Sequence, residues 1–347
     1  MPTGKLIGLL RSPETAPSVT PFEWNSLLYE ARNNQLTGQL VARLRRANQI
    51  GSVPDEVRRH LELEALTSKR RGESALWEVA TMRRAVDSRF KLVLLKGCAY
   101  LAAGDDNSEG RVFSDVDVLV RREELPAVES QLVSVGWKPS SVNAYDTAYY
   151  RDWMHEVPPM SHVRRHTVVD LHHAINPPVS RYYVDPARLF ENLAPIGPGL
   201  FVLAPSDRVI HCALHLLQEG ESKKLLRDLL DLFLLLEQHF EAAPGFMQLM
   251  NRAADLGVAR PVGTAIDTAR AIFAPEFSGK TKNLGWFSRS VARAAMTANG
   301  QPGISGEIAA TMVLAHSHWM KLPMQILVPH LIRKSVLRVT ANKAAAT

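Results

Sequence analysis

The run Arg111-Val112-Phe113-Ser114-Asp115-Val116-Asp117-Val118-Leu119-Val120 places two carboxylates inside an otherwise apolar stretch. In an extended strand, residues two apart face the same side. Asp115 and Asp117 therefore project together, and Val116, Val118 and Val120 project to the other face. Like charges about 6–7 Å apart beside a core repel each other and lose hydration unless a cation lies between them. Magnesium suits that role, because it takes a few carboxylates together with phosphate oxygens. A lone D-x-D is most often a solvated strand end. Here a third carboxylate stands in matching context, since Val168-Val169-Asp170-Leu171-His172 puts Asp170 and His172 on one face, opposite Val169 and Leu171. Three carboxylates across two strands would serve a two-metal site.

Around them lie residues able to hold a polyphosphate. Lys96-Gly97 closes an apolar run and opens a short helical stretch, where a glycine lets backbone approach a phosphate and a lysine opposes its charge. The plain alternative is a strand-to-helix turn with a solvated lysine. Arg111 could neutralise a polyphosphate and Ser114 could donate to one; either equally suits a strand edge. A competing constellation follows: Asp207, His211 and His215 recur at i, i+4 and i+8 on one helix face, with Asp228 on the next helix, an arrangement able to bind a metal for phosphoester hydrolysis. Helix packing and an acidic first turn are the ordinary reading of that set. Trp137, Tyr145, Tyr149, Tyr150 and Trp153, with Arg151, Arg164 and Arg165, fall between the two acidic strands. They read mainly as core and loop packing, with one or two facing a cleft.

The elements that must position these side chains follow from periodicity. Thr20-Pro21-Phe22-Glu23 carries a cap, a first-turn proline and a glutamate able to reach back, so a helix starts there. Trp24, Leu27, Leu28 and Ala31, then Leu36, Leu40, Val41 and Leu44, keep helical spacing, and a second stretch runs from Pro54 through Arg84. At Leu92-Val93-Leu94-Leu95 the period changes to a strand, followed by a brief helix from Cys98 to Ala103, a strand from Val112 to Val120, a helix between Glu123 and Val135, and a strand from Thr167 to His172. Helical periodicity returns after Ser206, read as a cap, and Leu225 to Phe240 is leucine-rich enough to be buried on most sides. The expected fold is α+β: a small mixed β-sheet core over residues 89–185, between an N-terminal helical region (1–88) and a C-terminal helical region (186–347).

Four separated blocks carry a resemblance: Leu94-Leu95-Lys96-Gly97; Arg111-x-x-Ser114-Asp115-Val116-Asp117-Val118-Leu119-Val120; Val169-Asp170-Leu171-His172; and Leu203-x-Pro205-x-Asp207. Together they resemble the uncharacterised bacterial nucleotidyltransferase family of the polymerase-β-like superfamily. The resemblance implies a mixed sheet flanked by helices, with Asp115 and Asp117 as metal ligands. Asp170 would either complete the metal site or activate the acceptor. One departure stands out: better-characterised members carry Gly-Ser at the first turn, whereas this chain has Lys96-Gly97-Cys98, so Lys96 is left to replace the serine's contact to the triphosphate.

The implied activity is transfer of a nucleoside monophosphate from an NTP to a hydroxyl acceptor with release of pyrophosphate, supported by Mg²⁺, expected as two ions. The acceptor, whether protein, RNA end, sugar or metabolite, is not written in the sequence. The alternative is a non-catalytic regulatory or binding module that keeps the fold. Composition sets the outer bounds. With 347 residues, 46% hydrophobic and 22% charged, the chain is ordinary globular material, and its excess of +6 is too weak for a nucleic-acid-coating surface. The two cysteines, Cys98 and Cys212, make neither a disulfide framework nor a four-cysteine zinc site, which fits a cytoplasmic protein. Arg11, Pro13 and Glu14 interrupt the first apolar run, so no signal peptide is read, and prolines and histidines interrupt Ile308 to Ile332, which reads as buried helix and not as a membrane span.

Overall fold

The computed structural model describes residues 4–140, 153–220, 222–274, 285–297 and 304–329. Tyr145, Tyr149, Tyr150 and Arg151 lie outside the described residues.

The chain opens with four helices, α1 (Lys5–Arg11), α2 (Pro21–Asn33), α3 (Thr37–Arg46) and the long α4 (Asp55–Ala85). Helix α2 starts as its sequence requires: Thr20 accepts from the Glu23 backbone N–H, and the Glu23 carboxylate accepts from the Thr20 N–H in return. Strand β1 (Leu92–Leu94) and α5 (Lys96–Ala103) follow, then β2 (Asp115–Leu119), α6 (Leu125–Ser134), β3 (Trp137–Pro139), β4 (Met160–His162) and β5 (Val168–His172). After α7 (Pro186–Phe190) a hairpin forms β6 (Leu193–Gly197) and β7 (Leu200–Leu203). The remainder is helical: α8 (Pro205–Glu219), α9 (Ser222–Phe240), α10 (Ala243–Asp255), α11 (Ala259–Phe273), α12 (Trp286–Thr297) and α13 (Ile304–Lys321).

The strands form one seven-stranded mixed sheet in the order β3-β4-β5-β2-β1-β7-β6. Strand β2 sits in the middle, antiparallel to β1 and parallel to β5, with Asp117 opposite Asp170. It is shorter than the expected Val112 to Val120, because its pairing with β5 begins only at Asp115 and Val168. The hairpin β6–β7 completes the sheet from beyond the expected core region, β7 running parallel to β1.

The two faces of the sheet differ. On one, Leu92, Leu94, Val116, Val118, Val169, Leu171 and Val202 form an apolar layer with Val79 and Met82 of α4 and Val128 and Leu132 of α6. On the other, Val93, Leu119 and Leu203 join the larger core built by the helices on either side of the sheet in sequence. Asp115, Asp117, Asp170 and His172 belong to this second face by alternation, since Leu119 pairs with His172. The acidic residues thus point toward α8 and α9. Helix α9 is buried along its length, Leu225, Leu226, Leu229, Leu230, Leu232 and Leu235 each being at most 2% exposed.

Two helix readings change. Ala204, not Ser206, occupies the cap position of α8 and makes no side-chain cap, because Pro205, with φ already near the helical value, takes the first helical position. Helix α13 buries Ala309, Val313 and Met320 but leaves Ile304, Ile308 and Met312 exposed, so it is half-buried, with apolar side chains on its exposed side as well. Among the described residues no helix is long and apolar enough to cross a membrane.

Candidate active site

The end of β1 and the start of β2 meet because the two strands are antiparallel: Val93 pairs with Leu119, and the Leu95 N–H donates to the Asp117 carbonyl at 3.0 Å. The chain then turns abruptly. Lys96 has a left-handed backbone (φ 47°), a conformation that costs a residue with a side chain roughly 1 kcal/mol or more. The turn aims its ammonium back at β2, 2.7 Å from Asp117 Oδ1. A Cβ on Gly97 would stand 2.6 Å from Nη1 of Arg111, so any larger residue there would displace that guanidinium.

Between the acidic face of the sheet and helices α8 and α9 lies a cavity of about 260 Å³. Lys96, Gly97, Arg111, Ser114, Asp115, Asp117 and Asp170 all line it, so every residue singled out by sequence for the metal or the nucleotide reaches one space. Ser114 donates its hydroxyl to Asp115 Oδ1 at 3.0 Å. Asp117 is buried, with Lys96 on Oδ1 and His172 Nε2 3.0 Å from the same oxygen. Burial opposes its charge, but Lys96 and His172 outweigh burial and hold its carboxyl well below the usual range. Lys96 is likewise kept charged: burial works against the ammonium, and Asp117 more than restores it.

Asp170, directly across the strand pair, has the opposite environment. Its Oδ1 is buried without a hydrogen-bond partner. Burial, and then the charges of Asp117 and Glu156, push its carboxyl up to about 7. One carboxylate is compensated and its neighbour is not. Asp115, Asp117 and Asp170 offer the hard oxygen donors that magnesium takes, yet among the described residues the three-donor group drawn within 4.8 Å is His155, Glu156 and His172 and not the three aspartates.

The competing constellation divides. His211, His215 and Asp228 line the same cavity, whereas Asp207 is buried and held by Arg252 through two contacts of 2.8 and 2.9 Å. Burial, with His215 and Lys96 nearby, keeps His211 far below the usual imidazole value, and burial with Lys96 takes His215 down to about 4. Both rings are neutral at pH 7. Asp228 is clasped by Arg227 at 2.6 Å, and Asp231 by Arg111 at 2.9 Å. Arg111 also lies over the Tyr100 ring, 5.7 Å from its centroid. Cys98, beside the turn, is buried with Sγ 3.8 Å from the Asp115 carbonyl, and burial pushes its thiol up to about 12.

Of the aromatic and arginine group, Trp137 and Arg165 pack. Trp137 is buried edge-on to His162, and Arg165 is bound to the Glu78 carboxylate while lying near the rings of Trp77 and Trp137. Sequence reasoning missed His155, Glu156, Glu219, Lys224, Arg227 and Asp231 as cavity residues. For α9 a signal existed: Arg227, Asp228 and Asp231 are charges within a helix that is otherwise almost continuous leucine. His155 and Glu156 carry no local pattern; they reach the site because Val157 N–H donates to Leu171 O at 3.0 Å and His173 N–H to His155 O at 2.8 Å, seating this segment against the end of β5.

A family model described as uncharacterised nucleotidyltransferase matches residues 20–274, from α2 to just beyond α11. No curated protein and no solved structure matches the chain.

Proposed function

The chain belongs to the uncharacterised nucleotidyltransferase family, and on that premise we propose that the cavity transfers a nucleoside monophosphate from an NTP to a hydroxyl acceptor, releasing pyrophosphate, in the manner of the polymerase-β-like superfamily. The observation that carries this reading is the register of β2 and β5, which sets Asp117 against Asp170 on one sheet face and leaves Asp170 Oδ1 buried and unpartnered at the cavity floor.

Asp115, Asp117 and Asp170 would hold Mg²⁺, expected as two ions, and the metal supplies charge neutralisation of the triphosphate and a more acidic acceptor hydroxyl. The chain's own residues do the rest. Lys96 and Arg111 bring positive charge to one wall, Gly97 keeps that wall free of a side chain, and Ser114 orients Asp115. Asp170 has an alternative role to metal binding: with no ion on it, burial raises its carboxyl to about 7, which suits it to take the acceptor proton at its unpartnered oxygen. The enclosing helices α8 and α9 exclude bulk water, which strengthens each of these interactions. Two buried free thiols, Cys98 and Cys212, accord with a cytoplasmic setting, where NTPs are abundant.

The experiment is transfer of label from α-³²P-NTPs, each in turn, to a cell extract with and without Mg²⁺. Label should move to an extract component only with metal and only with intact Asp115 and Asp117; label transfer by an Asp117→Asn protein would sink the assignment. One observation favours the second reading, a non-catalytic module: Lys96 and His172 already compensate Asp117. That reading predicts nucleotide binding without transfer.

A further inference from the structure

A second donor set lies at one end of the cavity. The isolated bridge between Glu156 and His172 brings His155, Glu156 and His172 side by side, with one ligand atom of each within 4.8 Å of the others. His172 is 1% exposed. Its Nε2 is 3.0 Å from Asp117 Oδ1, which leaves Nδ1 as the ring atom open to a metal. That Nδ1 is buried with no hydrogen-bond partner. Its neighbour is Glu156 Oε2 at 3.4 Å, a second electron-pair donor. The His172 ring is buried and the Glu156 side chain is 20% exposed, so the pair sits at the edge of the cavity with ligand atoms turned to one another.

The donor types identify its class, and the closest spacing agrees with it. Ligands bonded at about 2.0–2.1 Å to a tetrahedral zinc ion stand roughly 3.3–3.4 Å apart, which matches the 3.4 Å between His172 Nδ1 and Glu156 Oε2. His155 supplies the third side, with Nε2 4.0 Å from the same Oε2. A two-nitrogen, one-carboxylate set selects transition dications over magnesium, whose preferred donors are all oxygen. Asp117 would be the outer partner that fixes the His172 tautomer, the carboxylate–histidine–metal arrangement common around zinc.

We propose that His155, Glu156 and His172 bind one transition dication of the zinc class, at a site separate from the three-aspartate magnesium site and joined to it through Asp117. Because His155 and Glu156 line the cavity, the open coordination positions of that ion face the same space as the aspartates. The inference does not rest on nucleotidyl transfer, since the metal alone reads it out.

The test uses tag-free full-length protein, stripped of metal and titrated with Co²⁺ while visible absorption is recorded. One equivalent should bind with the intensity of a four- or five-coordinate site, persist in a large excess of Mg²⁺, and be displaced by Zn²⁺. His155→Ala and Glu156→Gln should each weaken Co²⁺ binding by at least about 10-fold, whereas Asp115→Asn should keep the full equivalent. Two variants guard against one failing to fold, and circular dichroism checks both. Absence of a cobalt spectrum, displacement by Mg²⁺, or binding indifferent to both variants would overturn the proposal. So would ¹⁵N resonances showing both His172 nitrogens protonated, because His172 would then be an imidazolium bridging Asp117 and Glu156. None of these outcomes bears on the labelled-NTP assay, so the two readings fail separately.

Discussion

Lys96 combines an unfavourable left-handed backbone with a half-enclosed ammonium, and its contact with Asp117 is what holds both in place. Replacing it with methionine leaves Asp117 a buried carboxylate without its lysine partner, which should cost roughly 3–5 kcal/mol. We expect Lys96→Met to lower the melting temperature in chelator, with Mg²⁺ recovering part of the loss, and to weaken NTP binding by about 10-fold or more; calorimetric melts with and without metal check the first part, and titration with NTP the second. Asp170 is the opposite case. Its native carboxyl keeps a proton to about 7, whereas the unfolded chain gives it up near 4. Ionising it in the native state therefore lowers stability progressively as pH rises through that window. Asp170→Asn should melt a few degrees higher than wild type at pH 8, lose that advantage by pH 4–5, and transfer no label at either pH. The three aspartates were legible because alternation and like-charge repulsion act on neighbours in sequence. Glu156 and His155 were not, since only the pairing of a separate segment with β5 brings them in.

The elements divide along the same physical line. Helix α2 follows from its cap and 3.6-residue periodicity, α4 from periodicity and α9 from its run of leucines, which are all local signals. Strands β3, β4, β6 and β7 span only three to five residues each, too short for alternation to stand out, and the sheet partners that stabilise them are far away in sequence. Strand β2 starts only at Asp115 for the same reason, since its first partner on β5 is Val168. At the other end of the cavity, α13 is tied to α8 by Lys321, 2.7 Å from Glu219. Burial opposes the Glu219 charge, but Lys321 and then His215 hold its carboxyl down at about 2. A carboxyl lowered on folding adds stability above its unfolded value near 4.5, and that stability is lost as pH falls from there toward 2. Lys321→Met should therefore speed amide exchange in α13 at pH 7, with the difference from wild type shrinking as the pH is lowered below 4; exchange mass spectrometry on peptides from this helix checks it.

At the scale of the molecule, the sheet separates two tasks. One face is a continuous apolar layer that α4 and α6 cover, and the other faces α8 and α9 across a cavity into which carboxylates, histidines and paired arginines converge. A fold stabilised only by burial would gain from filling that cavity with apolar side chains, because buried ion pairs are seldom better than well-packed hydrophobic groups. Their convergence on one space, within the stretch matched to the nucleotidyltransferase family, is why we assign this space to catalysis. The most direct measurement is calorimetric titration of each NTP into wild-type and Asp115→Asn protein, with Mg²⁺ and with chelator. Asp115 is exposed to the cavity, so its replacement should leave the melting temperature unchanged or slightly raised as like-charge repulsion is relieved. The account predicts Mg²⁺-dependent binding of at least one NTP to wild type and a loss of roughly 100-fold or more in the folded variant. Equal binding by the two proteins, or no binding to wild type with any NTP in the presence of Mg²⁺, would contradict it.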